Sequence, residues 1–237
     1  MTSAHEPLLE AAASPQEFYA RALTGGALHV RGADGRTRRL PVDRWLGPLS
    51  RADARALDRA RGPVLDIGCG PGRHVLALAR RGIPALGVDI APAAVRCARD
   101  RGAAAVLGSV FDPVSALTQW QTALLFDGNI GIGGRPVALL ERVRELLCPT
   151  GSAICEVGPP GSATTCELLV LEDASGARSS RFAWAHVSID GVSQTAVRAG
   201  MRVREVWEDD GRWFAALEPD LNLMRAASAG HPARCAA

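Results

Sequence analysis

From residue 63 onward, short apolar runs alternate with stretches in which apolar residues recur at helical spacing. The predicted strands of this part of the chain are 64–67, 85–88, 104–107, 123–126 and 152–157. The predicted helices between them are 74–81, 92–101 and 135–147, with a helical or irregular piece at 114–120. This alternation is typical of βαβ units and predicts a parallel sheet with helices on both faces.

After residue 157 the alternation changes. Two apolar runs, 166–172 and 181–187, flank the turn-forming residues Asp173 to Gly176, which predicts a β-hairpin. A helix at 193–199 follows. The runs 202–207 and 213–217 then flank an acidic turn that ends in Gly211, so we expect an antiparallel pair to close the sheet.

The pattern divides the chain into three parts. Residues 1–61 are expected to form a cap or lid segment, with helices at 18–23 and 50–61 joined by a glycine-punctuated link. Residues 62–219 are the main domain, in which the hairpin is an insertion at about 159–187. Residues 220–237 are rich in alanine and are expected to be a flexible tail.

Composition narrows the function classes. All 27 basic residues are arginine, and the net charge is only +2. The chain therefore has no strong positive field that would attract the phosphate backbone of a nucleic acid. The run Arg36 to Arg39 is interpreted as a solvated loop. Six cysteines show no metal-like spacing, and no apolar stretch is long enough to span a bilayer. We expect a cytoplasmic protein without a metal site and without a membrane partner.

The segment from Asp66 to Gly72 reads Asp-Ile-Gly-Cys-Gly-Pro-Gly and follows the first predicted strand directly. Alternating glycines let backbone N–H groups approach a ligand closely. A dinucleotide fingerprint has the spacing G-x-G-x-x-G instead, and Asp66 would repel a pyrophosphate. The same carboxylate suits a ligand that carries an ammonium and a sulfonium group.

Asp89 ends the second predicted strand, about twenty residues after the glycine turn. A carboxylate in this position accepts hydrogen bonds from both hydroxyls of an unphosphorylated ribose. Together the two segments favour S-adenosylmethionine over a nicotinamide dinucleotide.

These motifs resemble those of the class I, Rossmann-like, S-adenosylmethionine-dependent methyltransferases, and the similarity covers about residues 63–217. The resemblance implies a seven-stranded, mostly parallel sheet and S-adenosyl-L-homocysteine as product. It also implies cofactor contacts for a set of residues along the carboxyl edge of the sheet. These are Asp66, Gly68, Cys69, Gly70, Gly72, Asp89, Ile90, Ser109, Val110, Asp127 and Gly128. Asp66 and the glycine-turn backbone are expected to face the methionine part, and Ser109 stands where the family usually has an acidic residue.

Three side chains are candidates for acid–base work. Asp127 and Asn129 follow the fourth strand, where they either orient the acceptor or stabilise a turn. Family members that methylate nucleic-acid bases carry an Asn/Asp-Pro-Pro-aromatic motif after the fourth strand. This sequence lacks that motif there, which argues against methylation of nucleic-acid bases. His186 lies near the end of the hairpin and is either a general base or an ordinary strand residue.

The function expected from the sequence is in-line methyl transfer to a small-molecule acceptor. Such a displacement needs no metal, because much of its rate comes from positioning and from exclusion of water. The alternatives are another use of the cofactor, such as aminopropyl transfer, and a regulatory protein that binds the cofactor without turnover. The methylated atom (oxygen, nitrogen or carbon) and the oligomeric state stay open.

Overall fold

The computed structural model describes residues 13–113 and 119–221 of the chain. The helices are α1 (Pro15–Leu23), α2 (Val42–Leu46), α3 (Arg51–Leu57), α4 (Arg73–Arg80), α5 (Pro92–Asp100), α6 (Pro136–Leu146) and α7 (Ile189–Arg198). The strands are β1 (Leu28–Arg31), β2 (Thr37–Arg39), β3 (Val64–Ile67), β4 (Ala85–Asp89), β5 (Ala105–Leu107), β6 (Trp120–Leu125), β7 (Leu147–Val157), β8 (Thr165–Asp173), β9 (Phe182–His186), β10 (Met201–Asp209) and β11 (Arg212–Pro219).

Seven of these strands form the central sheet, in the order β10-β11-β7-β6-β3-β4-β5. Strands β3 to β7 are parallel to their neighbours among themselves, whereas β11 is antiparallel to both β7 and β10. The predicted α/β fold, with a mostly parallel sheet closed by an antiparallel hairpin, is therefore confirmed.

The central strands are apolar on both faces because helices cover both sides of the sheet. All four residues of β3 are buried, and so are the last four residues of β6. Glycines make the turns between strands and helices: Gly72 precedes α4 with φ 77°, a left-handed value that suits glycine. Pro92 opens α5 at a position where its missing N–H costs nothing.

A second sheet of four strands has the order β2-β1-β8-β9. It combines two strands from before the central sheet with the inserted hairpin, and β1 pairs antiparallel to β8. The hairpin was predicted from the sequence, but the link between the first helices was not expected to form strands. The run Arg36 to Arg39, interpreted as a solvated loop, is exposed, but its last three residues form β2. The pairing of β2 with β1 depends in turn on the distant β8.

One face of this cap sheet, as we call the four strands, is built from alternate residues of each strand. Register places Val30 between Arg38 and Leu171, and places Phe182 opposite Leu169 and Trp184 opposite Glu167. This inner face is apolar in its middle. It has an arginine at one edge and polar side chains at the other.

Strand β9 lies directly against the 3₁₀ turn Asn129–Gly131, which follows β6. Ile132 forms an isolated antiparallel bridge with Trp184. Gly131 has no room for a side chain, because a Cβ there would overlap the carbonyl oxygen of Ala185. The cap sheet is thus fixed against the end of β6 by backbone contact.

Several sequence predictions fall beyond these elements. The piece at 114–120 lies for the most part outside the described residues, and so do Cys235 and nearly all of the predicted tail. The other five cysteines are free thiols. Among the described helices, none combines the length and the apolar character that crossing a bilayer requires.

We predict that Gly131→Ala destabilises the fold. Its methyl group would displace β9 from the turn after β6, and overpacking of this kind typically costs about 1–3 kcal/mol. Chemical denaturation monitored by tryptophan fluorescence measures the loss. Gly108→Ala is the matched control, since a Cβ at Gly108 meets nothing within 4 Å. Equal stabilities for the two variants would contradict the tight docking of β9.

Candidate functional site

A cavity of about 580 Å³ lies between the carboxyl edge of the central sheet and the inner face of the cap sheet. The side of the cavity formed by the central sheet is lined by the turn after β3, the end of β4, the loop after β5 and the turn after β6. The opposite side is lined by α1, α2 and alternate residues of β1, β8 and β9. Open α/β sheets bind their ligands at this edge.

The glycine turn after β3 forms one end of the cavity. Gly68 and Gly70 adopt φ values of 70° and 53°. Tyr19 of α1 covers the turn, and a Cβ on Gly70 would lie 2.8 Å from its hydroxyl. Burial, followed by the charge of Asp89, raises the pKa of Tyr19 well above its ordinary value, so the phenol is neutral.

Asp89 lies beside this turn. Its two carboxylate oxygens accept hydrogen bonds from the N–H groups of Gly70 (2.9 Å) and Ala91 (2.8 Å). Burial raises the pKa of Asp89 above its ordinary value, although these N–H groups act in the opposite direction. The carboxylate lines the cavity with each oxygen still able to accept a second hydrogen bond.

The structure brings most of the predicted cofactor residues together. Besides Gly68, Gly70 and Asp89, those lining the cavity are Cys69, Ile90, Ser109, Val110 and Asp127. Gly72 and Gly128 do not line it and serve the backbone instead, both with positive φ. A Cβ on Gly72 would lie 2.8 Å from that of Ala103.

Asp66 requires a correction. It is only 1% exposed and does not line the cavity, so its carboxylate does not face a ligand there. It lies behind the glycine turn, where its Oδ2 is 3.4 Å from Nδ1 of His74. The first residue of this motif therefore acts inside the protein, through a buried histidine.

His74 is buried between two carboxylates, since its Nε2 also lies 3.7 Å from Asp53 Oδ1. Burial alone would lower the pKa of His74. The charge of Asp66 and the nearness of Asp53 outweigh burial and raise the pKa to about 9. His74 is therefore an imidazolium at neutral pH.

Arg73, the first residue of α4, is buried beside His74. One of its terminal nitrogens binds Asp53, and the other lies 2.7 Å from Asp127 Oδ2. Asp127 is also bound by Arg44 of α2, at 2.6 Å from its Oδ1. The turn after β6 is thus tied to α2, α3 and α4 through charged hydrogen bonds.

Arg212, at the start of β11, extends the same network. Its guanidinium donates a hydrogen bond to Asp53 Oδ1 at 2.7 Å. It also binds both carboxylate oxygens of Glu156, Oε1 at 2.9 Å and Oε2 at 2.6 Å. Glu156 Oε2 also accepts the N–H of Asp127 at 2.7 Å. The network, together with Asp66, therefore contains four carboxylates and three guanidiniums, and the positive charge of His74 balances the group.

Sequence reasoning missed this charged network. One signal was available: Arg73 opens a helix, where the helix dipole disfavours a cation, so an acidic partner had to lie nearby. Another was Ser50 with Asp53, a capping box that begins α3. Their long-range pairing depends on tertiary structure.

The three acid–base candidates are in different situations. Asn129 donates its amide hydrogens to the carbonyls of Ile67 (2.9 Å) and Gly68 (3.0 Å), so it holds the glycine turn. Asp127 is partly buried, but Arg73, His74 and Arg44 outweigh this burial and lower its pKa, which makes it a weak base. His186 lines the cavity from β9.

Comparison with known proteins shows what this arrangement is similar to. Residues 64–151, which span β3 to the first part of β7, match a family model described as a methyltransferase domain. These residues form a class I methyltransferase domain. The recognised family, its fold and its cofactor, S-adenosylmethionine, are thereby confirmed.

Two relatives show how far the likeness to this methyltransferase domain extends. A mouse lysine N-methyltransferase, named for a component of ATP synthase, is 37% identical over 103 residues, which make up 42% of this chain and 41% of the mouse protein. A Bacteroides fragilis SAM-dependent methyltransferase, solved with S-adenosyl-L-homocysteine, has a TM-score of 0.71 at 22% identity. That likeness covers 90% of this chain and 97% of the Bacteroides chain.

A third comparison extends the fold to an enzyme with a named acceptor. The 1,6-didemethyltoxoflavin-N1-methyltransferase of Burkholderia thailandensis, solved with its acceptor and S-adenosylhomocysteine, has a TM-score of 0.53 at 15% identity. The likeness covers 71% of this chain and 76% of that one. It shows a shared fold for the methyltransferase domain.

We predict that His74 gives the domain a stability that depends on pH. Its pKa is about 6.5 in an unfolded chain and about 9 here, so its stabilisation is complete below pH 6.5 and is lost as pH rises through 9. His74→Gln should therefore flatten the pH dependence, by about 1–3 kcal/mol between pH 6 and 9.5.

Urea denaturation of both proteins at several pH values measures this difference. Comparing each variant with wild type at the same pH removes the contribution of other titrating groups. His29→Gln, on the outer face of β1, is the control and should keep the wild-type profile. Parallel profiles for wild type and His74→Gln would show that folding does not raise the pKa of His74.

Proposed function

We propose that the protein transfers a methyl group from S-adenosylmethionine to a small acceptor enclosed between the two sheets. The observation that carries this proposal is the continuity of one cavity, from the glycine turn and Asp89 to the apolar inner face of the cap sheet. Its volume, about 580 Å³, lies within the range usual for small-molecule sites, roughly 300–1,000 Å³.

The residues at one end of this cavity fit the cofactor. The backbone of Gly68, Cys69 and Gly70 would lie against its methionine part, since these residues line the cavity. A Cβ on Gly68 or Gly70 would collide with Asn129 or Tyr19, which line the same space. Asp89 would accept hydrogen bonds from the ribose hydroxyls. When bound, the cofactor supplies a methyl group on a positively charged sulfur.

The adenine would lie between Ile90 and the loop after β5. Ile90 lines the cavity yet is 54% exposed, as expected of an apolar side chain that a ligand covers. Ser109 and Val110 lie on the other side. The Ser109 hydroxyl accepts the N–H of Phe111 at 3.2 Å and keeps a second lone pair for the ligand.

The N-terminal segment and the inserted hairpin would act together as one cap over this site. Because β1 pairs with β8, neither piece can move far from the cavity alone. The cap would exclude water and hold the acceptor against the cofactor, which are the contributions that methyl transfer needs most.

The division into a cap and a main domain and the cytoplasmic location stay predictions, as do the lack of a nucleic-acid partner and of a membrane partner.

A small acceptor fits this roofed site better than a protein does. The acceptor side is formed largely by apolar residues on β-strands. These are Leu28, Val30, Leu169, Leu171, Phe182 and Trp184. A protein substrate would have to pass a lysine side chain beneath the cap sheet.

A protein lysine acceptor is nevertheless the second candidate, for one specific reason. The mouse relative methylates a lysine, according to its name, and shares 37% identity over 103 residues. An amine nitrogen also suits the same in-line displacement. The two candidates differ in the size of the methylated product.

We predict that S-adenosylmethionine binding depends on Asp89. Asp89→Ala removes two charge-assisted hydrogen bonds to the ribose, so affinity should fall roughly 10- to 100-fold. Calorimetric titration with S-adenosylmethionine and S-adenosylhomocysteine measures the change. Asp58→Ala is the control, because Asp58 is an exposed partner of Arg81 just after α3. No binding by the wild type would contradict the proposal.

A second pair of variants tests the glycine turn. Gly70→Ala should abolish cofactor binding, since its methyl group would lie 2.8 Å from the Tyr19 hydroxyl inside the cavity. Gly82→Ala carries a similar left-handed strain, at φ 72°, with nothing within 4 Å. It should bind normally. Equal affinities for the two variants would place the cofactor elsewhere.

Transfer of a radiolabelled methyl group distinguishes the reactions. The protein is incubated with the labelled cofactor and a cell extract separated into small molecules and proteins. Label in the small-molecule fraction, with release of S-adenosylhomocysteine, is the expected result. Label in proteins favours the lysine acceptor. Release of labelled methylthioadenosine indicates transfer of the aminocarboxypropyl group, and its release when decarboxylated S-adenosylmethionine is supplied instead indicates aminopropyl transfer. Binding without release of either product indicates a regulatory role.

A further inference from the structure

One ion pair lies on the inner face of the cap sheet, at the end of β9. His186 Nε2 is 3.0 Å from Glu167 Oε1 of β8. Register places Thr165 opposite His186 and Glu167 opposite Trp184, so the two side chains are diagonal neighbours on one face. The pairing of β8 with β9 therefore places the two side chains next to each other.

The imidazole, and not the carboxylate, faces the cavity. His186 is among the residues that line it, whereas Glu167 is not. The other carboxylate oxygen, Oε2, lies over Gly32 at the end of β1, where a Cβ would be 2.9 Å away. The absence of a side chain at Gly32 thus leaves room for Glu167 behind the ring.

The contact with Glu167 assigns the proton of the neutral ring. An ionised carboxylate can only accept a hydrogen bond, so Nε2 must carry the hydrogen. Nδ1 then has a free lone pair, because Glu167 is the one polar partner that the ring has within the described part of the chain. This arrangement is that of an oriented base.

His186 and the glycine turn line the same cavity. Trp184 forms a backbone bridge with Ile132, and the Ile132 side chain would be 3.3 Å from a Cβ on Gly68 in that turn. Two residues along a strand correspond to about 7 Å, so the backbone of His186 is about that far from the backbone of Trp184. A molecule in this cavity can therefore lie between the glycine turn and the imidazole.

The other titratable groups of the described cavity lining are less suited to remove a proton. Arg73 and Arg44 bind both oxygens of Asp127. Each oxygen of Asp89 already accepts a hydrogen bond from a backbone N–H group beside the glycine turn. Tyr19 is a neutral phenol, and burial raises the pKa of the Cys69 thiol. His74 also lines the cavity, but it lies between two carboxylates and is an imidazolium at neutral pH. His186 is thus the lining side chain with a free basic nitrogen.

We propose that His186 is the general base of the reaction, oriented by Glu167, and that the acceptor is an apolar molecule carrying a hydroxyl or an amine. This inference rests on the proposed function. The acceptor's oxygen or nitrogen gives its proton to Nδ1 and uses the electron pair of that bond to take the methyl group. The electron pair of the broken carbon–sulfur bond stays on sulfur, so the products are the methylated acceptor, S-adenosylhomocysteine and a His186 imidazolium.

The first test needs no acceptor. Long-range ¹H–¹⁵N correlation spectra of the protein with labelled histidine report which ring nitrogen carries hydrogen, and His186→Asn assigns the signal. We expect a hydrogen on Nε2 and a bare Nδ1 in the wild type at pH 8. In Glu167→Ala, we expect a mixture of the two tautomers. A wild-type ring with hydrogen on Nδ1 would overturn the proposal.

The second test uses turnover of a panel of phenols and primary amines, measured as S-adenosylhomocysteine release. His186→Asn should lower kcat at least about 100-fold, which is a usual contribution of a general base, and should leave S-adenosylmethionine affinity unchanged. His29→Asn, on the outer face of the same sheet, should retain wild-type kcat. Unchanged kcat in His186→Asn would overturn the proposal.

The two tests also separate this inference from the function on which it rests. A wild type that binds the cofactor but methylates no panel member counts against the small protic acceptor, and so against this proposal. Label transfer to proteins alone would contradict the small-molecule function while the tautomer still tests the Glu167–His186 pair. Loss of cofactor binding in His186→Asn would show a structural role for the ring and count against its role as base.

Discussion

The site depends above all on the buried pairing of Arg73 with Asp53 and Asp127. Arg73 follows the glycine turn directly, so holding its guanidinium also fixes where the turn ends and α4 begins. A buried guanidinium without partners would be costly, and its two carboxylates come from different elements: α3 and the end of β6. The pairing therefore joins the N-terminal segment, the glycine turn and the turn after β6. Loss of either carboxylate would leave an uncompensated buried charge beneath the site.

Charge balance explains why the first residue of the glycine motif is buried. Asp66 does not reach the cavity, yet it helps to keep His74 protonated, and that positive charge offsets the surrounding carboxylates. Arg73, His74 and Arg44 keep Asp127 ionised. Asp127 and Asn129 are thus both bound to neighbouring parts of the site, whereas His186, the base that we propose, lies on the opposite wall of the cavity. This division of the site fits a reaction governed by positioning.

Local pattern predicted the central sheet because each of its elements is encoded within a few residues. The run from Val64 to Ile67, the glycines after it and the proline that opens α5 each specify one local conformation. The cap sheet was predicted only in part. The inserted hairpin has its own turn residues, but β1 and β2 are short and are stabilised by β8, which lies far along the chain. Asp89 and the glycine turn could be predicted as cofactor residues because each belongs to a short sequence motif at the end of a strand. The network of Arg73, Arg212 and Glu156 joins residues that are far apart in the sequence and meet only after folding.

We propose that cofactor and acceptor share one cavity between the two sheets, and a crystal structure of the protein with S-adenosylhomocysteine is the sharpest test. We expect the ribose on Asp89, the adenine beside Ile90 and the sulfur facing open space beneath Trp184 and His186. A ligand bound outside this cavity, or a sulfur that faces away from the cap sheet, would contradict it.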